Sequence, residues 1–271
     1  MIARSVTCAL CLLSLAPANA WSRSEHTVSF RPTRAQQKYP RVRAAREQRT
    51  DDIRALFHKA GVAYPPPGVL LRVFKLDDVV ELWVRPRGQE KYVHLKDYRI
   101  CARSGVPGPK RRRGDLQVPE GFYRVSGFNP SSNFLLSMRV DYPNRSDRLR
   151  GHPRNPGGDI FIHGDCVTIG CVPITDRWIE ELYLICLDAK WRHGRPPRVH
   201  IYPTRLDDEG LARLAGSFAG QKALLEFWRE IQPGYLQFER YRTPVRFTVR
   251  PDGRYVFRTN AERLEKNGGK R

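Results

Sequence analysis

Between residues 159 and 171 the chain reads DIFIHGDCVTIGC, which sets His163, Cys166 and Cys171 close together in sequence. Three chemistries use such a trio. A zinc site needs three or four ligands, and Asp165 or His152 could complete one, although after residue 20 neither a CxxC pair nor an HExxH motif is present. A disulfide between Cys166 and Cys171 is open to the chain in an oxidising compartment. The third chemistry is a cysteine nucleophile with a histidine base: the attacking species is the thiolate, and a neighbouring imidazole both removes the thiol proton and stabilises the anion.

Each reading needs elements that bring the trio together. Ile160 and Ile162 alternate with Asp159 and Phe161, which predicts a strand that ends at His163, with Gly164 letting the chain leave at a sharp angle. Cys171 follows Gly170 and precedes a helix expected from Asp176 to about Lys190, where Ile179, Leu182, Tyr183 and Cys186 fall at helical spacing. The loop between Gly164 and Gly170 is long enough to fold back, and strand ends that feed loops are common places for catalytic groups. Upstream, VLLRVFK, VVELWVR, KYVHL and YRICARS read as four strands, separated by Asp77-Asp78, Pro86-Arg87-Gly88 and Lys96-Asp97; FYRV, FLLSMRV and RVHIYP continue the series. Strands this numerous with one convincing helix among them predict a strand-rich α+β fold of two packed mixed sheets rather than a Rossmann-type alternation. After residue 205, Leu211, Leu214, Phe218, Leu225, Trp228 and Ile231 predict a helical stretch, and PVRFTVR-PDG-RYVF a hairpin. There is no internal repeat.

The N-terminus narrows the setting. MIARSVTCALCLLSLAPANA has one basic residue, a short apolar stretch and a small-x-small end at Ala18-Asn19-Ala20, the build of a cleaved secretory signal. Its apolar stretch is shorter than the roughly 20 residues of a membrane span, so the mature chain is expected to have no stable span. Removing residues 1–20 removes Cys8 and Cys11 and leaves Cys101, Cys166, Cys171 and Cys186, too few for a disulfide scaffold. The formal charge of +20 loses only Arg4 with the signal. Export turns that charge away from nucleic acid and toward anionic envelope polymers. Residues 21–49 carry eight Lys and Arg against Glu25 and Glu47, and read as a disordered basic arm. Thr50 then caps a short helix, with Ile53, Leu56, Phe57 and Ala60 on one face, Gly61 as its stop, and a Pro-rich linker to residue 68. The expected organisation is therefore signal 1–20, arm 21–49, helix and linker 50–68, catalytic domain 69–205 and C-terminal extension 206–271.

Several ordered motifs match one family together. His163-Gly164-x-Cys166-x-Thr168-x-Gly170-Cys171, Tyr98-Arg99-Ile100-Cys101-Ala102-Arg103-Ser104-Gly105, Gly108-Pro109-Lys110, Gly114-Asp115, Val118-Pro119-Glu120-Gly121-Phe122-Tyr123, Asp141-Tyr142-Pro143-Asn144 and Ile179-Glu180-Glu181 resemble the L,D-transpeptidases with the YkuD-type catalytic domain, in the YafK-like murein branch. The resemblance covers residues 69–205. It implies that Cys171 forms a thioester with a peptidoglycan stem peptide at a bond following diaminopimelate, with His163 as the base. Thr168, Gly170 and Gly164 would surround the oxyanion or substrate, and no metal or cofactor would be required. The commoner family motif reads Ser-His-Gly-Cys followed by an apolar residue and Arg, whereas here Thr168-Ile169-Gly170-Cys171 is followed by Val172-Pro173. The branch includes enzymes that cut the link between peptidoglycan and an outer-membrane lipoprotein, so an amine acceptor and water both stand as outcomes.

The remaining residues have plainer readings. Cys186 is expected as a buried small hydrophobe, with Cys101 as its candidate partner, and Cys166 as a packed thiol, a resolving thiol or a substrate contact. His152 is expected on a surface loop near the site, with substrate contact as the alternative. Lys110-Arg111-Arg112-Arg113 is either a solvated hairpin tip or a contact for substrate carboxylates, Lys110 foremost. A noncatalytic envelope-binding protein, held by its basic segments, is the competing function class; nucleic-acid binding would need stacking aromatics near these charges.

Overall fold

The computed structural model describes residues 35–258. The signal expected over 1–20 and the first part of the basic arm lie outside the described residues.

Ten strands and five helices follow one another as α1 (Pro40–Lys59), β1 (Gly68–Phe74), β2 (Val79–Arg85), β3 (Val93–Arg99), β4 (Gly121–Asn129), β5 (Ser137–Val140), α2 (Arg145–Arg150), β6 (Phe161–His163), β7 (Val172–Pro173), α3 (Asp176–His193), β8 (Arg198–Tyr202), α4 (Asp208–Ser217), α5 (Lys222–Tyr241), β9 (Arg246–Val249) and β10 (Tyr255–Arg258) among the described residues. Eight strands are joined in the order β3-β2-β1-β8-β4-β5-β6-β7, and β4 belongs to both halves, pairing with β8 along its first residues and with β5 along its last. The fold is strand-rich α+β, a mixed sheet in which β1 runs parallel to β8 and β6 parallel to β7.

Alternation along the central strands sends side chains to two buried faces. Val69, Leu71 and Val73 of β1, with Val199 and Ile201 of β8, join the core under α1 and α3. Phe74, Phe122 and Tyr202 face the other way and pack with Trp228, Ile231 and Tyr235 of α5. A sheet covered on both faces reads as continuous apolar runs, which is why VLLRVF lacks polar alternation. The one cation in that run, Arg72, is fully buried, ion-paired to Glu81 and Glu239 and set over the rings of Phe238 and Tyr235 at 4.7 and 4.9 Å. A buried charge persists only when paired and hydrogen-bonded, and here the partner comes from α5, tying the C-terminal segment to the sheet.

The basic arm ends earlier than its composition suggests. Helix α1 starts at Pro40, so residues 40–49 are helical and continuous with the short helix expected from Thr50. Val42 and Ala45 are buried, Arg46 pairs with Asp188 and Arg49 with Glu180 of α3, and Arg41 donates to the Leu135 carbonyl. Arginines that look solvated in sequence thus meet buried acids on a distant helix. Two further differences are local. KYVHL and the start of YRICARS form the single strand β3, and the helical stretch after residue 205 is two helices, α4 and α5.

Candidate functional site

His163 is the last residue of β6 and is 1% exposed. Its neighbour strand β7 runs parallel, with Ile162 opposite Val172 and His163 opposite Pro173. Cys171 immediately precedes β7, and continuing that register sets it opposite Phe161, on the strand beside the one that ends at His163 and two positions from His163 along it.

The imidazole is held on two sides. Nδ1 lies 2.5 Å from the Gly164 carbonyl, and the Phe134 ring stacks on it at 4.4 Å between centroids. A carbonyl only accepts, so Nδ1 carries the proton and Nε2 is left with the lone pair. Gly164, expected beside the oxyanion or substrate, has its carbonyl on His163 Nδ1 in the structure. It must also be glycine, because a Cβ there would lie 2.5 Å from Asp176 Oδ1 and 2.7 Å from the Phe134 carbonyl. Asp176, opening α3, accepts from the Asp165 amide at 2.7 Å and so closes the turn after His163.

The turn before Cys171 is built around Thr168. Its Oγ1 accepts from the amides of Gly170 at 3.1 Å and Cys171 at 2.8 Å and donates to the Cys171 carbonyl at 2.9 Å. Two amides converging on one oxygen form the kind of nest that binds a developing oxyanion. Thr168 Oγ1 occupies that nest here. Gly170 has φ 137°, and a Cβ would stand 3.1 Å from the Gln117 carbonyl, so both conformation and space require glycine. Asp159, Asp165 and Thr175 also have positive φ, of 54°, 58° and 69°. Such backbone costs about 1–3 kcal/mol per residue and gathers at functional sites.

Cys166 is not the partner of Cys171, nor is Cys101 the partner of Cys186. Cys101 and Cys166 form a disulfide with Cα atoms 5.6 Å apart, while Cys171 and Cys186 remain thiols. The bridge fastens the loop between His163 and Cys171 to the segment after β3, and it takes Cys166 out of consideration as a zinc ligand or resolving thiol. Cys186 is buried as expected, and burial pushes its thiol far above the ordinary range.

Cys171 is partly exposed and lines a cleft with Ile100, Ala102, Val106, Val118 and Val172 as apolar walls and Lys75, Arg103 and Ser104 as its polar groups. Lys75 is engaged: its ammonium donates to the carbonyls of Val106, Gly108 and Val118 and to Glu120, whose other oxygen accepts from Trp228 Nε1 at 2.7 Å. This buried network sets the 106–118 wall and ties it to α5. Sequence reasoning missed it, since Lys75 sits at a strand end and Glu120 in a motif with no stated role.

The two outlying candidates are each engaged in their own loop. Lys110 is 4% exposed and ion-paired with Asp115. Burial opposes ionisation of Asp115, but Lys110 and the amides of Arg111, Arg112 and Gln117 outweigh it and hold the carboxyl below its usual range. The basic turn is therefore wound around its own acid rather than extended as a solvated tip, and Lys110 is a turn-former. His152 is exposed, with Nδ1 accepting from the Arg154 and Asn155 amides at 3.3 and 3.1 Å, so it closes its own loop. That loop meets the basic turn through Arg113 N and the Asn155 carbonyl and leads into Asp159, whose carbonyl is 3.6 Å from Cys171 Sγ.

Comparison with known proteins follows the same lines. No family model matches the chain. The Escherichia coli K12 protein named "Putative L,D-transpeptidase YafK" is 37% identical over 191 residues, 69% of this chain and 73% of that protein, and its counterpart in E. coli O157:H7 gives the same figures. Among solved structures, the helical cell shape determining protein Pgp2 of Campylobacter jejuni, as its K307A mutant, aligns with TM-score 0.43 at 18% identity over 67% of this chain and 72% of that one. Bd1075 of Bdellovibrio bacteriovorus aligns with TM-score 0.37 at 15% identity over 71% and 77%.

Proposed function

Because the chain belongs to the L,D-transpeptidase family, in its YafK-like branch, we propose that it is an exported cysteine acyltransferase of the cell envelope that acts on peptidoglycan stem peptides. The observation that carries the reading is the hydrogen bond between His163 and the Gly164 carbonyl: with Nδ1–H donated there, Nε2 keeps the ring's lone pair, on the strand beside the one that Cys171 enters.

The chemistry then runs on this chain's own groups. Nε2 takes the Sγ proton of Cys171 as the sulfur attacks the diaminopimelate carbonyl carbon of the bond to the terminal residue. The oxyanion enters the nest of the Gly170 and Cys171 amides, which displaces Thr168 Oγ1. Collapse expels the amine, which leaves with the proton held on Nε2, and a thioester remains. An acceptor amine attacks the thioester, loses a proton to Nε2 and departs as the new amide, while the thiolate regains that proton. A general base of this kind contributes about 10²–10⁴-fold and each oxyanion donor about 10²–10³-fold.

Water in place of the amine gives a hydrolase, including one that releases an envelope lipoprotein from the wall. Cys171 opens on a cleft with apolar walls, and partial exclusion of water favours transfer. Incubation with diaminopimelate muropeptides, with and without excess amine, followed by product mass spectrometry, reads the partition. Joined products support transfer. Cleaved lipoprotein-linked muropeptides without joining make the enzyme a hydrolase, and no product of either kind contradicts the acyl-transfer reading.

A further inference from the structure

The cleft holds two cations with different availability. Lys75 has all its donors engaged in the 106–120 wall and buried Glu120. Arg103 is half exposed, its side chain at 51%. A guanidinium has five N–H donors in a rigid fork. Arg103 spends one edge on Asp78, with Nε and Nη2 each on a carboxylate oxygen, and the second Nη2 hydrogen on the Leu76 carbonyl at 2.8 Å. Among the described residues Nη1 meets no acceptor. Asp78 sits at φ 52° in the turn between β1 and β2, and its own carbonyl accepts from the Ile100 amide at 2.8 Å. The fork is thus anchored on one side by a fixed turn and offers its other arm. Beside it, Ser104 lines the same cleft, and its Oγ is buried without a hydrogen-bond partner among the described residues. That hydroxyl has no exposed surface, so the half-exposed Arg103 arm is the donor that the cleft presents to an occupant.

We propose that Arg103 Nη1 forms a carboxylate subsite in the cleft that Cys171 lines, and that this subsite selects a carboxylate of the donor stem peptide. The inference rests on the acyl-transfer reading for the identity of the peptide, but it is a statement about binding. A carboxylate matches the planar arm of an arginine already oriented by a second acid. A neutral amide would accept more weakly and bring an N–H group toward the cation. Two of the donor's carboxylates lie next to the bond that is cut, that of the terminal residue and the side-chain carboxylate of diaminopimelate, and both have the chemistry the subsite recognises.

The test uses the mature chain carrying Cys171→Ala, so that binding is read without turnover. Three tetrapeptides are titrated by calorimetry: the free acid, the terminal carboxamide and the diaminopimelate side-chain carboxamide. The free acid should bind, and Arg103→Gln should weaken it about 10-fold, the worth of a charge-assisted hydrogen bond reduced by solvent. One carboxamide should bind weakly already and be insensitive to Arg103→Gln, which identifies the carboxylate that is read. Arg103→Lys should recover part of the loss. Equal weakening of all three peptides by Arg103→Gln would mean that the arginine only props the wall, and would overturn the subsite, as would no weakening or no binding of the free acid. A thioester on the wild-type protein without any Arg103 dependence defeats the subsite and leaves the acyl-transfer reading standing. Arg103-dependent binding without thioester formation does the reverse.

Discussion

Cys171 and Cys186 are the two cysteines outside the disulfide among the described residues, and the fold treats them oppositely. Cys171 ends a glycine-containing turn, is partly exposed in a cleft and enters the strand that pairs beside His163. Cys186 lies in the middle of α3, with no exposure, and burial holds its thiol protonated. The same functional group is a candidate nucleophile at one position and a small core hydrophobe at the other. The difference lies in burial and position: α3 packs Cys186 against apolar neighbours, while the Thr168–Cys171 turn leaves the other sulfur at an accessible edge.

The largest effect expected from this contrast is on activity. Cys171→Ala should abolish acylation by stem peptides while the melting temperature stays near that of the wild type, and Cys186→Ala should retain acylation. Activity surviving Cys171→Ala would place the nucleophile elsewhere.

Alkylation sharpens the same contrast without mutation. Brief iodoacetamide treatment near neutral pH, followed by peptide mapping, should modify Cys171 and spare Cys186, because only the thiolate reacts and free cysteine titrates at about 8.5. Cys101 and Cys166 should become reactive only after reduction. Labelling of Cys186 in the folded protein would contradict its burial.

His163→Ala should slow acylation by about 10²–10⁴-fold, the general-base factor, with far-UV circular dichroism unchanged. A loss of fold would make His163 a packing residue beneath Phe134.

The smallest of these effects concerns the bonded pair. Replacing Cys101 and Cys166 by serine should lower stability by about 2–4 kcal/mol, read by urea unfolding. Acylation should be reduced rather than lost, because the bridge positions the loop and touches no reacting atom. Stability equal to the wild type would mean that the bridge is not formed in solution.

Much of this arrangement is readable in the sequence, and the limits are instructive. The apolar alternation of Asp159–His163, Gly164, Gly170 and the helix from Asp176 all appear where periodicity and glycine placement put them, because those signals are local. So do the hairpin of β9 and β10 and the burial of Cys186. What sequence reasoning missed depends on partners far apart in the chain. Arg46 and Arg49 look like a solvated arm until Asp188 and Glu180 of α3 are placed beside them. Lys110 looks like a hairpin tip until Asp115 folds under it. Cys101 and Cys166 are 65 residues apart, and only the approach of the loop to the segment after β3 selects that pairing over those with Cys171 or Cys186. Gly164 is conspicuous as a turn residue, but its carbonyl becomes a histidine-orienting group only once the backbone direction is known.

The account turns on a thioester at Cys171, and mass spectrometry of the intact protein tests it most directly. Mature protein incubated with a diaminopimelate tetrapeptide and quenched in acid should gain the mass of the acyl group, with the terminal residue lost. Proteolytic mapping should place that mass on the peptide containing Cys171, and neutral hydroxylamine should remove it. Cys171→Ala should gain nothing. An acyl group found on another residue, or none while the substrate is turned over, would contradict the account.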